Sequence, residues 1–166
     1  MQMAGYTLRR RARKVSIDNS SYKRVAFKKF YTDCCEDDGG YVLKAKRPFK
    51  YGEKLMDLNG KYIVEPLEAV KILEKCQENP RLHRTKFFIK TNESFFCCDL
   101  ERSRNDPSYY LLHRRTTGYN CKPTIYYTKE DTNKLNPKIS IEATKLIKKN
   151  EPIVVYYGIL WFLNIK

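Results

Sequence analysis

The sequence predicts a mainly β, β-rich α+β domain. Three observations carry this reading. β-Branched and aromatic residues fall in short runs, as strands require. Turn dipeptides such as Gly39-Gly40, Asn59-Gly60 and Asn79-Pro80 separate those runs. Only the stretch 65–78 carries a helical period, which makes a small helical insert. A length of 166 residues fits one folded domain with a real core. Its boundaries are drawn as a basic N-terminal arm at 1–22 and a folded domain at 23–166.

Arg24 to Tyr31 reads as a first strand, because basic and apolar residues alternate around Val25, Ala26 and Phe27. Thr32 to Gly40 is an acidic turn, Tyr41 to Lys46 a short strand and Pro48 to Gly52 a turn. Lys54 to Leu58 is a strand that stops at Asn59-Gly60. Pro66 opens a helix with Glu65 and Glu68 at its positive end. Leu67, Val70, Leu73 and Cys76 recur at i+3 and predict its core face. Asn79-Pro80 closes it. Phe87 to Ile89 and Phe95 to Asp99 predict a hairpin, and Arg102 to Ser108 a polar loop. Tyr109 to Arg115 is open between short helix and extended chain. Ile125 to Thr128 and Ile139 to Ala143 predict paired strands, and Ile153 to Tyr157 a buried one.

Charge narrows the function classes. Lys and Arg total 33 against 19 Asp and Glu, a net +14. The excess is uneven: +8 in residues 1–30, zero in 31–100 and +6 in 101–166. The tightest cluster is Arg9, Arg10, Arg11, Arg13 and Lys14. Such an arm suits phosphate contact with DNA, or a solubilising or nuclear-import segment. Arg114-Arg115 with Tyr109, Tyr110 and Tyr119 reads either as a solvated face or as a stacking surface for single-stranded nucleic acid, the first being favoured. His83 and His113 stand among arginines and are expected at the surface.

The six cysteines form no CxxC pair, and a strand would send Cys97 and Cys98 to opposite faces. Buried free thiols are expected, with no metal. No apolar segment follows the basic start as a secretory leader would, and the apolar stretch 152–165 is too short to span a bilayer. The sequence carries no phosphate-binding P-loop, no nucleophile elbow and no HExxH.

Gly39-Gly40-Tyr41-Val42-Leu43-Lys44-Ala45, followed by Phe49-Lys50-Tyr51-Gly52-Glu53, resembles the opening G-x-G-V-x-A and I-x-x-G-E of the SET-domain family. Ile141 to Glu151, leading to Val155-Tyr156-Tyr157-Gly158, is similar to that family's closing A-x-x-x-I-x-x-G-E-E and Y-D-Y-G. Arg115 to Pro123 sits where the family carries R-F-I-N-H-S-C-x-P. Val42 replaces the second glycine, Gly118 and Tyr119 replace the Asn and His, and Thr124 replaces the final Asn.

The resemblance implies a SET-like domain of short curved sheets and an S-adenosylmethionine-dependent protein-lysine methyltransferase. It makes Tyr157 the catalytic tyrosine and Tyr156 a substrate contact. Gly40, Tyr41, Tyr119, Asn120 and Trp161 become cofactor contacts, with Phe162 beside Trp161. The implied partners are a histone tail or another lysine-containing protein, and DNA or a nucleosome through the arm; no membrane contact is expected, a partner subunit is allowed, and a nuclear or nucleo-cytoplasmic location follows. The alternative is a degenerate SET-like module that binds protein or nucleic acid as a scaffold. Read on residue chemistry alone, Tyr157 is equally a buried tyrosine whose hydroxyl bonds to backbone, and Gly39-Gly40 a plain hairpin turn.

Overall fold

The computed structural model describes residues 24–34, 40–92, 94–129 and 135–157. The basic arm, with Arg9, Arg10, Arg11, Arg13 and Lys14, lies outside the described residues, as do Gly39, Gly158, Trp161 and Phe162. Among the described residues ten strands form three small sheets. β1 (Phe30–Cys34) and β2 (Tyr41–Ala45) make an antiparallel pair. β4 (Lys61–Ile63), β5 (Lys86–Lys90) and β6 (Phe95–Asp99) form a sheet of order β4-β6-β5. The third sheet holds β3 (Lys54–Asp57), β7 (Arg114–Arg115), β8 (Cys121–Lys129), β9 (Leu135–Ala143) and β10 (Val155–Tyr156), in the order β3-β9-β8-β10-β7. β10 runs parallel to both of its neighbours.

The helix α1 (Pro66–Glu78) starts at a proline and ends before Asn79, as the sequence predicts. Its core face differs from the expected one. Ala69 and Cys76 are buried with Ile72 and Leu73 beside them, whereas Leu67 is 71% exposed and Val70 38%. The small Ala69 turns inward, where a close approach to β4 and β6 leaves no room for a leucine. Among the described residues no helix is long and apolar enough to cross a membrane.

The first strand is also displaced. β1 begins at Phe30, and residues 24–29 hook back on it. The Val25 N–H donates to Thr32 Oγ1 at 2.7 Å, and the Phe27 N–H donates to the Phe30 carbonyl at 2.7 Å. β4 and the 3-10 turns Pro80–Thr85 and Pro107–Tyr110 were not expected from sequence. The 121–129 and 135–143 strands pair over their whole length, with Ile125 opposite Ile139 inside the ladder. One core joins the sheets around Phe30, Phe49, Phe87, Phe96, Ile139, Ile141 and Tyr157. A second, smaller cluster lies under α1 around Phe88, Cys97 and Cys76. The described cysteines are free thiols, four of them buried. Burial pushes the Cys97 and Cys121 thiols well up and Cys98 to about 12, so they are packing groups and not nucleophiles. Among the described residues no three His, Cys, Asp or Glu side chains gather as metal ligands would.

Candidate functional site

The segment 151–157 threads between parts of the chain that are remote in sequence. The Ile153 N–H donates to the Leu43 carbonyl at 2.8 Å, and the Val155 N–H to the His113 carbonyl at 2.9 Å. The Tyr157 N–H donates to the Arg115 carbonyl at 3.2 Å. His113 Nε2 lies 3.2 Å from the Tyr41 carbonyl. These bonds draw Gly40–Tyr41, the 113–121 segment and Tyr156–Tyr157 into one neighbourhood.

Asn120 is the buckle of that threading. Its Nδ2 donates to the Pro152 carbonyl at 2.7 Å and to Glu151 Oε2 at 3.1 Å, and its Oδ1 accepts the Val154 N–H at 2.9 Å. Its own N–H donates to the Val154 carbonyl, and its carbonyl accepts from Thr144. A 4% exposed amide with every polar function committed has a structural use here.

Consecutive residues on a strand face opposite ways, and Tyr156 and Tyr157 do so. Tyr157 is 3% exposed and points into the core. Its hydroxyl meets the main chain of Phe88: the Phe88 N–H donates to Oη, and Oη–H donates to the Phe88 carbonyl at 3.3 Å. The rings of Phe87 and His83 lie 5.2 and 6.1 Å from its ring. Burial pushes the phenol well above its ordinary value, so it stays protonated at neutral pH.

Arg114 belongs to the same cluster and corrects the reading of Arg114-Arg115 as a solvated face. Arg115 is exposed, but Arg114 is 6% exposed. Its guanidinium donates to four carbonyls: Arg84 at 2.6 Å, Lys86 at 2.8 Å, His83 at 3.1 Å and Leu111 at 3.1 Å. Among the described residues no carboxylate pairs with it. It lies 3.9 Å from the Phe87 ring centre and 5.3 Å from that of Tyr157, so aromatic faces and peptide dipoles carry its charge. Burial lowers its pKa to about 10, which leaves it cationic. Tyr110 is buried as well, so Arg115, with the half-buried Tyr109 and Tyr119, is what this group of residues presents to solvent.

His83 corrects a second expectation. It is 8% exposed, not a surface residue, and its ring lies 5.5 Å from that of Phe88. Burial, with the Arg114 charge adding to it, lowers its pKa to about 4, so it is neutral at physiological pH.

On the other side of β10, Tyr156 meets Tyr119 with ring centres 4.7 Å apart. Both line a cavity of about 410 Å³ with Tyr51, Gly52, Lys122, Glu142, Ala143 and Thr144. Tyr41 and Tyr157 do not line it. Tyr41 packs edge-on against Tyr110, with ring centres 5.8 Å apart. Sequence reasoning missed Arg114, His83, Tyr51 and Glu142. The pairing of Glu142 with Lys122 across β8 and β9 follows from the register once Ile125 is set opposite Ile139.

S-adenosylmethionine is the cofactor that this arrangement has to be tested against. A tyrosine face suits an adenine or a sulfonium cation, but the tyrosines expected to hold it are not gathered in one pocket: Tyr41 packs on Tyr110, and Tyr119 turns with Tyr156 to the cavity that Tyr41 does not line. The Asn120 side chain has no hydrogen bond left to give it.

A search of curated protein sequences found no match. Among solved structures, the chain is similar to the crystal structure of CpSET8 from Cryptosporidium, with 15% identity and a TM-score of 0.59. That likeness covers 77% of this chain and 56% of the other. It is also similar to ctPRC2 in an autoinhibited conformation bound to S-adenosylmethionine, with 22% identity and a TM-score of 0.56. That likeness covers 80% of this chain and 15% of the other. The chain therefore spans little more than half of the first structure's chain and a small part of the second's. These likenesses concern the fold, with its threaded β10 and curled sheets. The SET domain family matches residues 40–158, most of the sequence and the whole of the threaded region, and the chain belongs to the SET-domain family.

Proposed function

We propose that this chain is an S-adenosylmethionine-dependent protein-lysine methyltransferase acting on a histone or another chromatin-associated protein. One observation carries the reading: main-chain bonds draw Tyr41, the 113–121 segment and Tyr157, far apart in sequence, around the short strand β10. When bound, the cofactor supplies an electrophilic methyl group on a sulfonium. The chain's part is to present a neutral lysine amine in line with it and to exclude water. The cluster of Phe87, Phe88, His83 and Tyr157 is apolar, and the Arg114 cation within it opposes a second positive charge. Both effects favour the uncharged amine over the ammonium. The methyl would come from the bound cofactor, and the proton given up by the methylated amine would leave to solvent. The basic arm docks on DNA, and the protein works in the nucleus.

A second reading has its own observation. The Tyr157 hydroxyl is committed to the Phe88 main chain, which suits a SET-like module that binds without catalysis. Calorimetry of the full chain with S-adenosylmethionine and S-adenosylhomocysteine separates the two. Heat of binding and a raised Tm support the enzyme; neither, at millimolar ligand, leaves the scaffold. Deleting residues 1–20 should weaken DNA binding and flatten its salt dependence. An unchanged salt slope removes the arm from DNA docking.

A further inference from the structure

The cavity beside Tyr156 has a chemistry of its own. Tyr119 and Tyr156 form a corner, tilted 59° to each other, and Tyr51, 79% exposed, adds a third ring to the lining. Glu142 contributes a half-buried carboxylate. Among the described residues that carboxylate forms no ion pair, and none of the three phenols is hydrogen-bonded.

Three aromatic faces and one unpaired carboxylate attract a cation. Rings offer a cation no hydrogen-bond acceptor of carbonyl strength, so a primary ammonium loses more on leaving water than a methylated one does. The volume of about 410 Å³ lies within the usual range for ligand sites. Lys122, directly across the ladder from Glu142, opposes any cation there and sets a limit on its affinity.

We infer that the cavity formed by Tyr51, Tyr119, Tyr156 and Glu142 binds a methylated ammonium group, as on a methylated lysine or a small quaternary ammonium ion. The site is apart from Tyr157 and needs no methyl transfer to be filled. The inference therefore stands whether the chain is an enzyme or a scaffold.

The test titrates the full chain with tetramethylammonium chloride and with short acetylated peptides carrying trimethyl-lysine or unmodified lysine. Tyrosine ring resonances and calorimetry are followed. Tetramethylammonium should shift the Tyr51, Tyr119 and Tyr156 rings, and the trimethyl-lysine peptide should bind more tightly than the unmodified one. A trimethyl-lysine peptide that outbinds tetramethylammonium supports a protein-borne ligand; equal affinities support a small ion. Tyr51→Ala, at an exposed position, should weaken binding about two- to five-fold. Glu142→Gln should also weaken it, and Lys122→Gln should strengthen it. The inference is overturned if about 10 mM tetramethylammonium moves none of these rings, or if methylated and unmodified lysine bind alike. Displacement of tetramethylammonium from these rings by S-adenosylmethionine would make the cavity a cofactor site and overturn it equally.

Discussion

Tyr157→Phe removes one oxygen, and its cost can be worked from the surroundings. β5 is an edge strand of its sheet, so the outward N–H and C=O of Phe88 have no neighbouring strand. The Tyr157 hydroxyl serves both. Phe88 is 1% exposed, so no water replaces the lost partner. Leaving a buried N–H unsatisfied costs about 1–3 kcal/mol, and the longer bond to the carbonyl adds about 0.5 kcal/mol. The expected loss is about 1.5–3.5 kcal/mol, against nearly zero for Tyr127→Phe at a site 55% exposed. Urea unfolding without cofactor measures it, with an unchanged m-value to show that only stability moved. A loss below about 0.5 kcal/mol would mean that the hydroxyl does not seal this edge. Methyl transfer measured on the same variant then separates the two uses of the tyrosine. Lost turnover with cofactor binding retained marks catalysis; lost stability alone marks the seal.

Other outcomes follow from the same geometry. His83 is neutral in the fold with its pKa lowered to about 4, against an ordinary value of 6.5. Its contribution to stability is present above pH 6.5 and is lost as pH falls toward 4, by about 3 kcal/mol in all. Urea midpoints across that window should fall, and His83→Phe should flatten the fall. At the alkaline end, Tyr157 and Tyr62 have raised pKa values, so stability should hold below pH 10 and decline above it. Asn120→Ala strips partners from Val154 and Pro152 and should cost about 2–4 kcal/mol, whereas Asn120→Asp should keep the Val154 bond and lose the other two. Gly60→Ala would place a Cβ 2.3 Å from the Asp99 carbonyl oxygen, so β4 must shift off β6, and thermal unfolding should show at least about 2 kcal/mol of loss.

The helix and the two hairpins were legible because their signals are local. Pro66 and Asn79-Pro80 bound α1, and aromatic runs broken by turn residues mark β5, β6, β8 and β9. The helix face was not. Leu73 and Cys76 of the expected i+3 series do lie on the true face, but Ala69 and Ile72 take the places expected for Leu67 and Val70, a choice that packing against β4 and β6 decides. The site was half legible. The motif order matches the main-chain bonds that join Tyr41, the 113–121 segment and Tyr157, but nothing local in the sequence tells that Tyr119 turns with Tyr156 to a cavity that Tyr41 and Tyr157 do not line. Arg114 and His83 could not be read, because a buried arginine capping carbonyls and a surface arginine look the same in a list of residues. Asn120 likewise gives no hint that its amide is consumed inside the chain.

The placement of β10 also governs the order of assembly. A strand parallel to both of its neighbours cannot be laid down by a hairpin, and β7 joins the sheet only through it, so β10 must first find the edge of β8. Until it does, β8 keeps an open edge and β7 has no strand beside it among the described residues, and open edges recruit other chains. A nascent chain halted before Val155 should therefore be a species that associates with its own kind, and chaperone capture should end when the segment 151–157 emerges and docks. Among the described strands β10 is the last in sequence, and it is the clasp whose docking covers the β8 edge and brings in β7.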